Sequence, residues 1–265
     1  MEDFGKIGLA GCGRMGLPML RALQRAGFAA EGFDVRDVGV GQDASDFANG
    51  LQTLITVVRD SDETDALLFD DQALTKAVSL RTIIISSTLS PRYVKDLRAR
   101  VPKNITLIDA PMSGAQVRAK AATLAFMIGA DPAAIAKHMP LFNAMGRDIH
   151  VMGGYGAGMT AKVLNNLLAA SSTAMTRLVL DWADAEGVDE GKLLALIHTA
   201  SGQNWLASGF NDIEFARDGY GTDNSIGIIA KDVGAALDIA PDGADTTLPE
   251  TVQNAIANLK PRPKP

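Results

Sequence analysis

Two groups of residues in this chain have types and spacings that suit chemistry on a bound small molecule. The first is the glycine loop Gly11-Cys12-Gly13-Arg14-Met15-Gly16 near the start of the chain. Its three glycines permit a tight turn, a close approach of the backbone to a pyrophosphate, and close packing of a helix on a strand. The second is Lys162 with Asn166, after Gly156-Ala157-Gly158. Together the two groups suggest hydride transfer coupled to proton transfer.

The second group has the spacing of one helix face. Lys162 and Asn166 are four residues apart, and Asn165 is close to the same face. An amine near an apolar sheet can lose basicity through desolvation and exchange a proton with an alcohol oxygen. Asn166 can hydrogen-bond the same oxygen. Taken alone, a lysine in a helix is most often a solvated surface charge.

The glycine loop has the context that dinucleotide binding requires. It follows a strand pattern over Lys6–Ala10 and opens a helix over residues 14–26. The start of that helix offers free N–H groups and partial positive charge. Asp34, at the end of the next strand, suits the ribose hydroxyls of NAD, whereas Arg36 could pair with the 2′-phosphate of NADP. We therefore expect NAD, with NADP as the alternative.

The elements that position these groups change in type along the chain. Strand-like and helix-like segments alternate in the first part, and a helix over 91–100 has Ser90 as its cap and Pro91 at its first position. Alternation of this kind predicts an α/β fold, a Rossmann-type doubly wound sheet. The predicted strands cover 6–10, the residues before Asp34, 54–58, 83–86, 105–109, 123–129 and 148–151.

After Gly158 the pattern becomes helical. A helix without glycine or proline is predicted from Met159 to about Glu186, followed by helices near 189–200, 204–217, 225–240 and 248–259. We therefore predict a dinucleotide-binding Rossmann domain over 1–155 and an all-helical domain over 156–265, with a long interdomain helix. The proline-rich tail from Lys260 is expected to fray.

Composition excludes several classes of function. Apolar residues make up 47% of the chain, charged residues 21%, and the formal net charge is −6. Without a basic block we expect no nucleic-acid partner, and without an apolar run of about 20 residues we expect no membrane span. The acidic start Met1-Glu2-Asp3 does not resemble a signal peptide.

The single cysteine, Cys12, excludes an intramolecular disulfide and fits a cytoplasmic protein. It is either a filler in the turn or a nucleophile without an evident base. We expect no metal.

Five motifs, in order, resemble those of the β-hydroxyacid dehydrogenase family, which includes 3-hydroxyisobutyrate dehydrogenases and tartronate semialdehyde reductases. They are Ile7–Met19, Ser87–Pro91, Asp109–Ala115, Gly156–Asn166 and Ala230–Asp232.

The resemblance implies a role for each motif. Ser113, Gly114 and the backbone of Ala115 would bind a substrate carboxylate. Lys162 would be the general acid/base, with Asn166 as its partner at the substrate oxygen. The cofactor would lie against the glycine loop, including Arg14 and Met15, and against Asp34, Arg36, Val58, Thr88 and Lys231. The implied substrate is a short β-hydroxyacid or its semialdehyde, and the implied assembly is a homodimer or homotetramer.

The chain departs from the family pattern at three places. The segment between Asp34 and Ile55 is short, and Arg59-Asp60 stands where the family has a proline. Ala115 stands where the family has a glycine, so it would place a Cβ in the substrate loop. Gln116, Arg118 and Lys120 follow that loop, and a cation there would either read a second acidic group or lie solvated. Trp205 would either wall the substrate pocket or pack in the core.

Other functions stay open at this point. The decarboxylating 6-phosphogluconate dehydrogenases share the fold but are longer and carry His-Asn after the lysine. Imine reductases share the architecture but replace the lysine. A dinucleotide-binding module without catalysis would bind the cofactor but show no turnover that depends on Lys162.

Overall fold

The computed structural model describes residues 4–264. Met1, Glu2, Asp3 and Pro265 lie outside the described residues, and with them the segment on which the signal-peptide expectation rests. Residue contacts divide the chain into two compact units, Met1–Lys162 and Val163–Pro265. The domain boundary proposed between residues 155 and 156 stays a prediction.

The first unit is built on one mixed sheet. Its strands within the described residues are β1 (Lys6–Ala10), β2 (Ala30–Phe33), β3 (Leu51–Thr56), β4 (Thr82–Ile85), β5 (Thr106–Asp109), β6 (Met112–Ser113), β7 (Leu124–Gly129) and β8 (Gly146–Gly153). The strand order is β2-β1-β3-β4-β5-β7-β6, and β8 pairs with β7. Strands β1 to β5 pair in parallel, as the alternation predicts. β7 runs antiparallel to β5 and β6 and parallel to β8.

The sheet is buried on both faces. Successive strand residues point to opposite sides, so Ile84 and Ile108 enter one apolar cluster while Ile83, Ile85 and Leu107 enter the other. Burial on both sides explains why these strands read as continuous apolar runs rather than as alternating ones. The predicted doubly wound α/β fold is confirmed.

Capping side chains fix several helix starts in this unit. Ser90 Oγ accepts hydrogen bonds from the N–H groups of Arg92 at 3.1 Å and Tyr93 at 3.4 Å, which confirms the predicted start at Pro91. The unpredicted helix at 132–145 has the same signal, since Asp131 precedes Pro132 and caps it. The helices here are α1 (Gly16–Arg25), α2 (Ala44–Ala48), α3 (Ser61–Leu68), α4 (Pro91–Arg100), α5 (Ala115–Lys120) and α6 (Pro132–Met145).

The strand predicted over 54–58 starts and ends earlier, as β3. β3 ends at Thr56; the Val57 N–H still donates to the Ala10 carbonyl at 2.8 Å, whereas the Val58 N–H donates to Ser87 Oγ at 2.9 Å. Asp60 then caps α3 by accepting the Glu63 N–H at 2.9 Å. Arg59-Asp60 is therefore a helix start.

The short connection between Asp34 and β3 contains the helix α2. Asp43 caps this five-residue helix, and Phe47 from it stacks on Phe33 at the end of β2 with ring centroids 5.2 Å apart. The contact gives the short segment a buried apolar anchor.

The helical pattern after Gly158 is also confirmed. The long helix α7 spans Ala157–Ala185, and the described part of the second unit contains no strand. The prediction over 204–217 was wrong in extent, because that helix ends at Ser208 and the chain turns from Gly209. None of the helices in residues 4–264 combines the length and apolarity that crossing a membrane takes. The later helices are α8 (Glu190–Thr199), α9 (Trp205–Ser208), α10 (Ser225–Asp238) and α11 (Thr247–Ala257).

The tail from Lys260 is not helical, as expected, but the expectation that it frays was wrong for the segment around Arg262. The buried Arg262 guanidinium forms ion pairs with Asp181 at 2.7 Å, Asp184 at 2.8 Å and Glu190 at 2.7 Å. Arg217 donates to the Pro263 carbonyl at 2.7 Å. Buried charges persist only when paired, so these bonds hold the tail in place.

Candidate functional site

The glycine loop connects β1 to α1 and has the shape that a pyrophosphate needs. Gly11 has a positive φ of +92°, and a Cβ at Gly16 would collide with the Gly11 carbonyl oxygen. A Cβ at Gly13, by contrast, would make only an ordinary contact, 3.4 Å from an Arg36 guanidinium nitrogen. The first turn of α1 has no side-chain cap and no acidic residue. The loop therefore fits a dinucleotide phosphate. Arg14 is exposed and Met15 is half-buried beside it.

Cys12 within this loop is a buried filler. Its thiol lies 3.5 Å from the Leu9 carbonyl oxygen. Burial, followed by the charge of Asp34, raises the pKa of Cys12 to about 11. The thiol is therefore protonated near neutral pH, which opposes a nucleophilic role.

Asp34 and Arg36 form one unit at the end of β2. The buried Asp34 carboxylate accepts hydrogen bonds from the Arg36 backbone N–H, Nε and a terminal nitrogen, each at 3.0 Å. Burial raises the pKa of Asp34, but the hydrogen bonds and charge of Arg36 lower it by more. Asp34 is therefore ionised, and the exposed guanidinium that balances it also lies beside Gly13.

The loops after β3 and β4 are bound to each other. Ser87 Oγ accepts the Val58 N–H, as above, and Thr88 is the next residue, half-buried. The Leu89 N–H lies 3.4 Å from Met159 Sδ at the start of α7. The structure thus brings Val58, the segment of Thr88 and the start of α7 together at one edge of the sheet.

The Ser113–Ala115 segment turns sharply between β6 and α5. Gly114 has φ +136° and Ala115 has φ +53°, in the left-handed region that favours glycine. Gln116 donates to the Arg14 carbonyl at 3.4 Å, so this segment adjoins the glycine loop. Gln116, Arg118 and Lys120 lie on α5, and Arg118 pairs with Asp148 on β8.

Asp109 is a buried carboxylate that no sequence argument had assigned a role. Oδ1 accepts the Gly156 N–H at 2.7 Å, and Oδ2 accepts the Met159 N–H at 2.6 Å. Burial raises the pKa of Asp109 to about 6, although these N–H groups act in the opposite direction. Asp109 therefore caps α7 from the end of β5.

Lys162 lies one turn beyond this cap. Its side chain is buried, with 7% of the residue exposed. Met159, on the same turn as the cap, is fully buried in the apolar cluster beside β4. The structure thus contradicts the alternative that Lys162 is a solvated surface charge.

In the second unit, Asn166 is oriented by Asp232. Asn166 Nδ2 donates to Asp232 Oδ2 at 2.6 Å, and Asn165 Nδ2 donates to Asn166 Oδ1 at 3.3 Å. Asp232 is buried, and Lys231 Nζ lies 3.4 Å from its other oxygen. Asp232 therefore joins two predicted site residues, Asn166 and Lys231. Trp205 is half-exposed, with its ring centroid 6.1 Å from that of Phe215.

Sequence reasoning assigned no role to two of the buried carboxylates, Asp109 and Asp232. Each belongs to a motif that had been noted, Asp109–Ala115 and Ala230–Asp232, but their partners are 47 and 66 residues away in the chain. The available signal was an aspartate among apolar neighbours, since a buried carboxylate needs partners.

Two family models match consecutive parts of the chain. Residues 6–154 match the NAD-binding domain of 6-phosphogluconate dehydrogenase. Residues 156–261 match the NAD-binding domain of NADP-dependent 3-hydroxyisobutyrate dehydrogenase.

Similar proteins span nearly the whole chain. An NAD-dependent L-serine dehydrogenase of Pseudomonas aeruginosa is 31% identical over 91% of this chain and 87% of that relative. A 3-hydroxyisobutyrate dehydrogenase of the same organism is 30% identical over 89% of this chain and 85% of that relative. A solved structure of the Mycobacterium tuberculosis 3-hydroxyisobutyrate dehydrogenase with L-serine superposes with a TM-score of 0.77, at 26% identity, over 97% of this chain and 96% of that one.

The glycine loop yields a prediction from a matched pair of substitutions. The Cβ in Gly13→Ala makes only an ordinary contact, so we expect the free energy of unfolding to change by no more than about 0.5 kcal/mol while the Kd for NAD rises roughly tenfold or more. Gly16→Ala clashes with the Gly11 carbonyl oxygen and should lower the free energy of unfolding by about 2 kcal/mol. Urea unfolding and calorimetric titration with NAD measure both effects. Unchanged NAD affinity in Gly13→Ala would show that this loop does not hold the cofactor.

Proposed function

Because this chain belongs to the β-hydroxyacid dehydrogenase family, we propose that it oxidises the hydroxyl group of a short β-hydroxyacid or reduces the matching semialdehyde. The chain is an NAD(P)-dependent hydroxyacid oxidoreductase. The observation that carries the proposal is the burial of Lys162, one turn beyond a helix start that Asp109 caps.

The proposed substrates are L-serine and 3-hydroxyisobutyrate. These are the acids in the names of the two relatives that are similar over most of this chain. Both carry a carboxylate and a hydroxyl group on the β carbon, so one site could bind either acid. The Cβ of Ala115, in the turn assigned to the carboxylate, favours a small acid over a bulky one.

We assign the steps on the substrate to residues of both motifs. Ser113, Gly114 and the backbone N–H of Ala115 bind the carboxylate. Lys162 Nζ takes the hydroxyl proton during oxidation and returns it during reduction. Asn166, held by Asp232, hydrogen-bonds the same oxygen.

We assign cofactor binding to the glycine loop, to residues that follow the parallel strands, and to Lys231 on α10. Gly11, Gly13, Gly16 and the backbone of Arg14 and Met15 hold the pyrophosphate, and Asp34 with Arg36 binds the adenosine ribose. Val58, Thr88 and Lys231 bind the remainder. A bound nicotinamide dinucleotide supplies the hydride acceptor. The ionised Asp34 favours NAD, because a carboxylate repels a 2′-phosphate; the adjoining Arg36 is the reason to test NADP as well.

We also propose a homodimer or homotetramer in the cytoplasm. One face of α7 carries large exposed apolar side chains at helical spacing, among them Leu168 at 71% and Trp182 at 66% exposure. An exposed apolar stripe of this kind marks an interface, and a helix face can pair with its own copy about a two-fold axis. The stripe consists of Leu164, Leu168, Met175, Leu178 and Trp182.

The proposed location in the cytoplasm suits the buried free thiol of Cys12.

Turnover assays test the proposed reaction. With L-serine or 3-hydroxyisobutyrate we expect reduction of NAD at 340 nm, with a higher kcat/KM than for NADP. Lys162→Ala should lower kcat by about 100- to 10,000-fold, because proton transfer is lost, with the Kd for NAD changed less than about threefold. The exposed Lys103 gives the control Lys103→Ala, which should keep full activity. Cofactor binding without turnover of either acid would favour the non-catalytic module.

Light scattering tests the proposed assembly. The wild-type protein should have a mass at least twice the 27.9 kDa of one chain. Leu168→Asp places a charge in the stripe and should reduce the mass to that of a monomer with unchanged helical circular dichroism. Val78, which is 91% exposed and outside α7, supplies the control Val78→Asp, which should not dissociate. A wild-type monomer at micromolar concentration would contradict the proposal.

A further inference from the structure

The carboxylate of Asp109 occupies a cradle that only glycines leave open. A Cβ at Gly129 would collide with Oδ1, and a Cβ at Gly158 would lie 2.8 Å from Oδ2. Gly156 donates to Oδ1, and the Gly158 N–H adds to the bonds from Gly156 and Met159. The end of β5 and the start of α7 therefore meet without intervening side chains.

The negative charge of the Asp109 carboxylate is stabilised by backbone N–H groups. The hydrogen bonds described for it come from backbone N–H groups, those of Gly156, Gly158 and Met159 at the start of α7 and that of Asp109 itself. The titratable and charged groups nearby are the buried Tyr155 hydroxyl, before α7, with Lys95 and Arg98 on α4. Lys95 contacts Gly156, and Arg98 acts on Tyr155. Since burial raises the pKa of Asp109 to about 6, its charge changes within the range where enzymes work.

The same contact joins the two segments assigned to the substrate. Four residues after Asp109 comes Ser113, the first residue assigned to the carboxylate, and three residues after Met159 comes Lys162. All of these residues belong to the first unit. A displacement of the first turn of α7 would therefore move Lys162 relative to the Ser113–Ala115 turn.

We propose that Asp109 is a positioning residue whose ionised carboxylate holds the first turn of α7, so that Lys162 stays in place for proton transfer, and whose protonation releases that turn. The inference rests on the proposed function of Lys162. A protonated carboxyl has an O–H in place of one acceptor, so one of the bonds to Gly156 or Met159 weakens. Activity should therefore fall as the pH is lowered through the pKa of Asp109, and not through the pKa of a residue that touches the substrate.

Asp109→Asn tests the proposal against a matched control. The amide has nearly the same shape but cannot ionise, and its NH2 group would face a backbone N–H. The control is Asp131→Asn, because Asp131 caps α6 in the same unit, with the Ala133 N–H at 2.9 Å, and has no role at the site. The probes are NADH with the semialdehyde of 3-hydroxyisobutyrate, from pH 5 to 8, because Lys162 is the proton donor in this direction and a fall in pH does not remove its proton.

The expected profiles differ between the two variants. Wild type and Asp131→Asn should lose kcat about tenfold per pH unit below an apparent pKa of about 6. Asp109→Asn should show no such limb, and its kcat at pH 8 should be at least about tenfold lower, with the KM for NADH within about threefold of wild type. An unchanged acid limb in Asp109→Asn, or an equal loss of kcat in Asp131→Asn, would overturn the proposal.

Hydrogen exchange in the wild-type protein needs neither a folded variant nor turnover. Corrected for intrinsic rates, protection of the Gly156 and Met159 N–H groups should fall at least about fivefold from pH 7.5 to pH 5. Protection of the Ala133 N–H should not change. Unchanged protection at Gly156 and Met159 with normal turnover would overturn the positioning role alone. A fall in protection without turnover of either acid would overturn the proposed function of Lys162 and the positioning role with it.

Discussion

The first unit depends on one contact, between the carboxylate at the end of β5 and the backbone at the start of α7. Asp109 accepts hydrogen bonds from Gly156 and Met159 in a space lined by glycines. The contact satisfies N–H groups that a helix start otherwise leaves unpaired, and it fixes where α7 leaves the sheet. Every residue of the first unit assigned to the substrate lies within six residues of Asp109 or within three residues of Met159. In the proposed mechanism, the position of the proton-transfer residue thus depends on a residue that does not touch the substrate.

Two buried carboxylates in the described part of this unit show how the partner decides the charge. Asp34 directly follows the parallel strand β2, Asp109 ends the parallel strand β5, and both lose solvation on folding. Asp34 is neutralised by a guanidinium with full positive charge, so its pKa falls. Asp109 has only backbone N–H groups, whose partial charges do not offset burial, so its pKa rises. One site is therefore charged at all physiological pH values, and the other responds to pH.

The sequence was informative where the determinant is local. Ser90-Pro91 located the start of α4 because a cap and a fixed φ act within one turn, and Asp131-Pro132 carries the same information for α6. The strand, turn and helix around the glycine loop could be predicted for the same reason. The extents of β3 and α9 could not be predicted from the local sequence. After β3 the Val58 N–H donates to Ser87 Oγ, and α9 ends at a glycine beside residues of a buried apolar cluster. Asp109 and Asp232 could be noticed but not paired, since their partners are joined to them only by the tertiary fold.

Titration of the Asp109 carboxyl by ¹³C NMR, with the resonance assigned by its loss in Asp109→Asn, tests the proposed contact. We expect a midpoint at about pH 6, because the carboxylate is buried and bound by backbone N–H groups alone. A midpoint at or below the ordinary value of 3.8 would mean that Asp109 is solvated or paired with a cation. In that case the carboxylate would not be enclosed at the start of α7, and its link to Lys162 would fail.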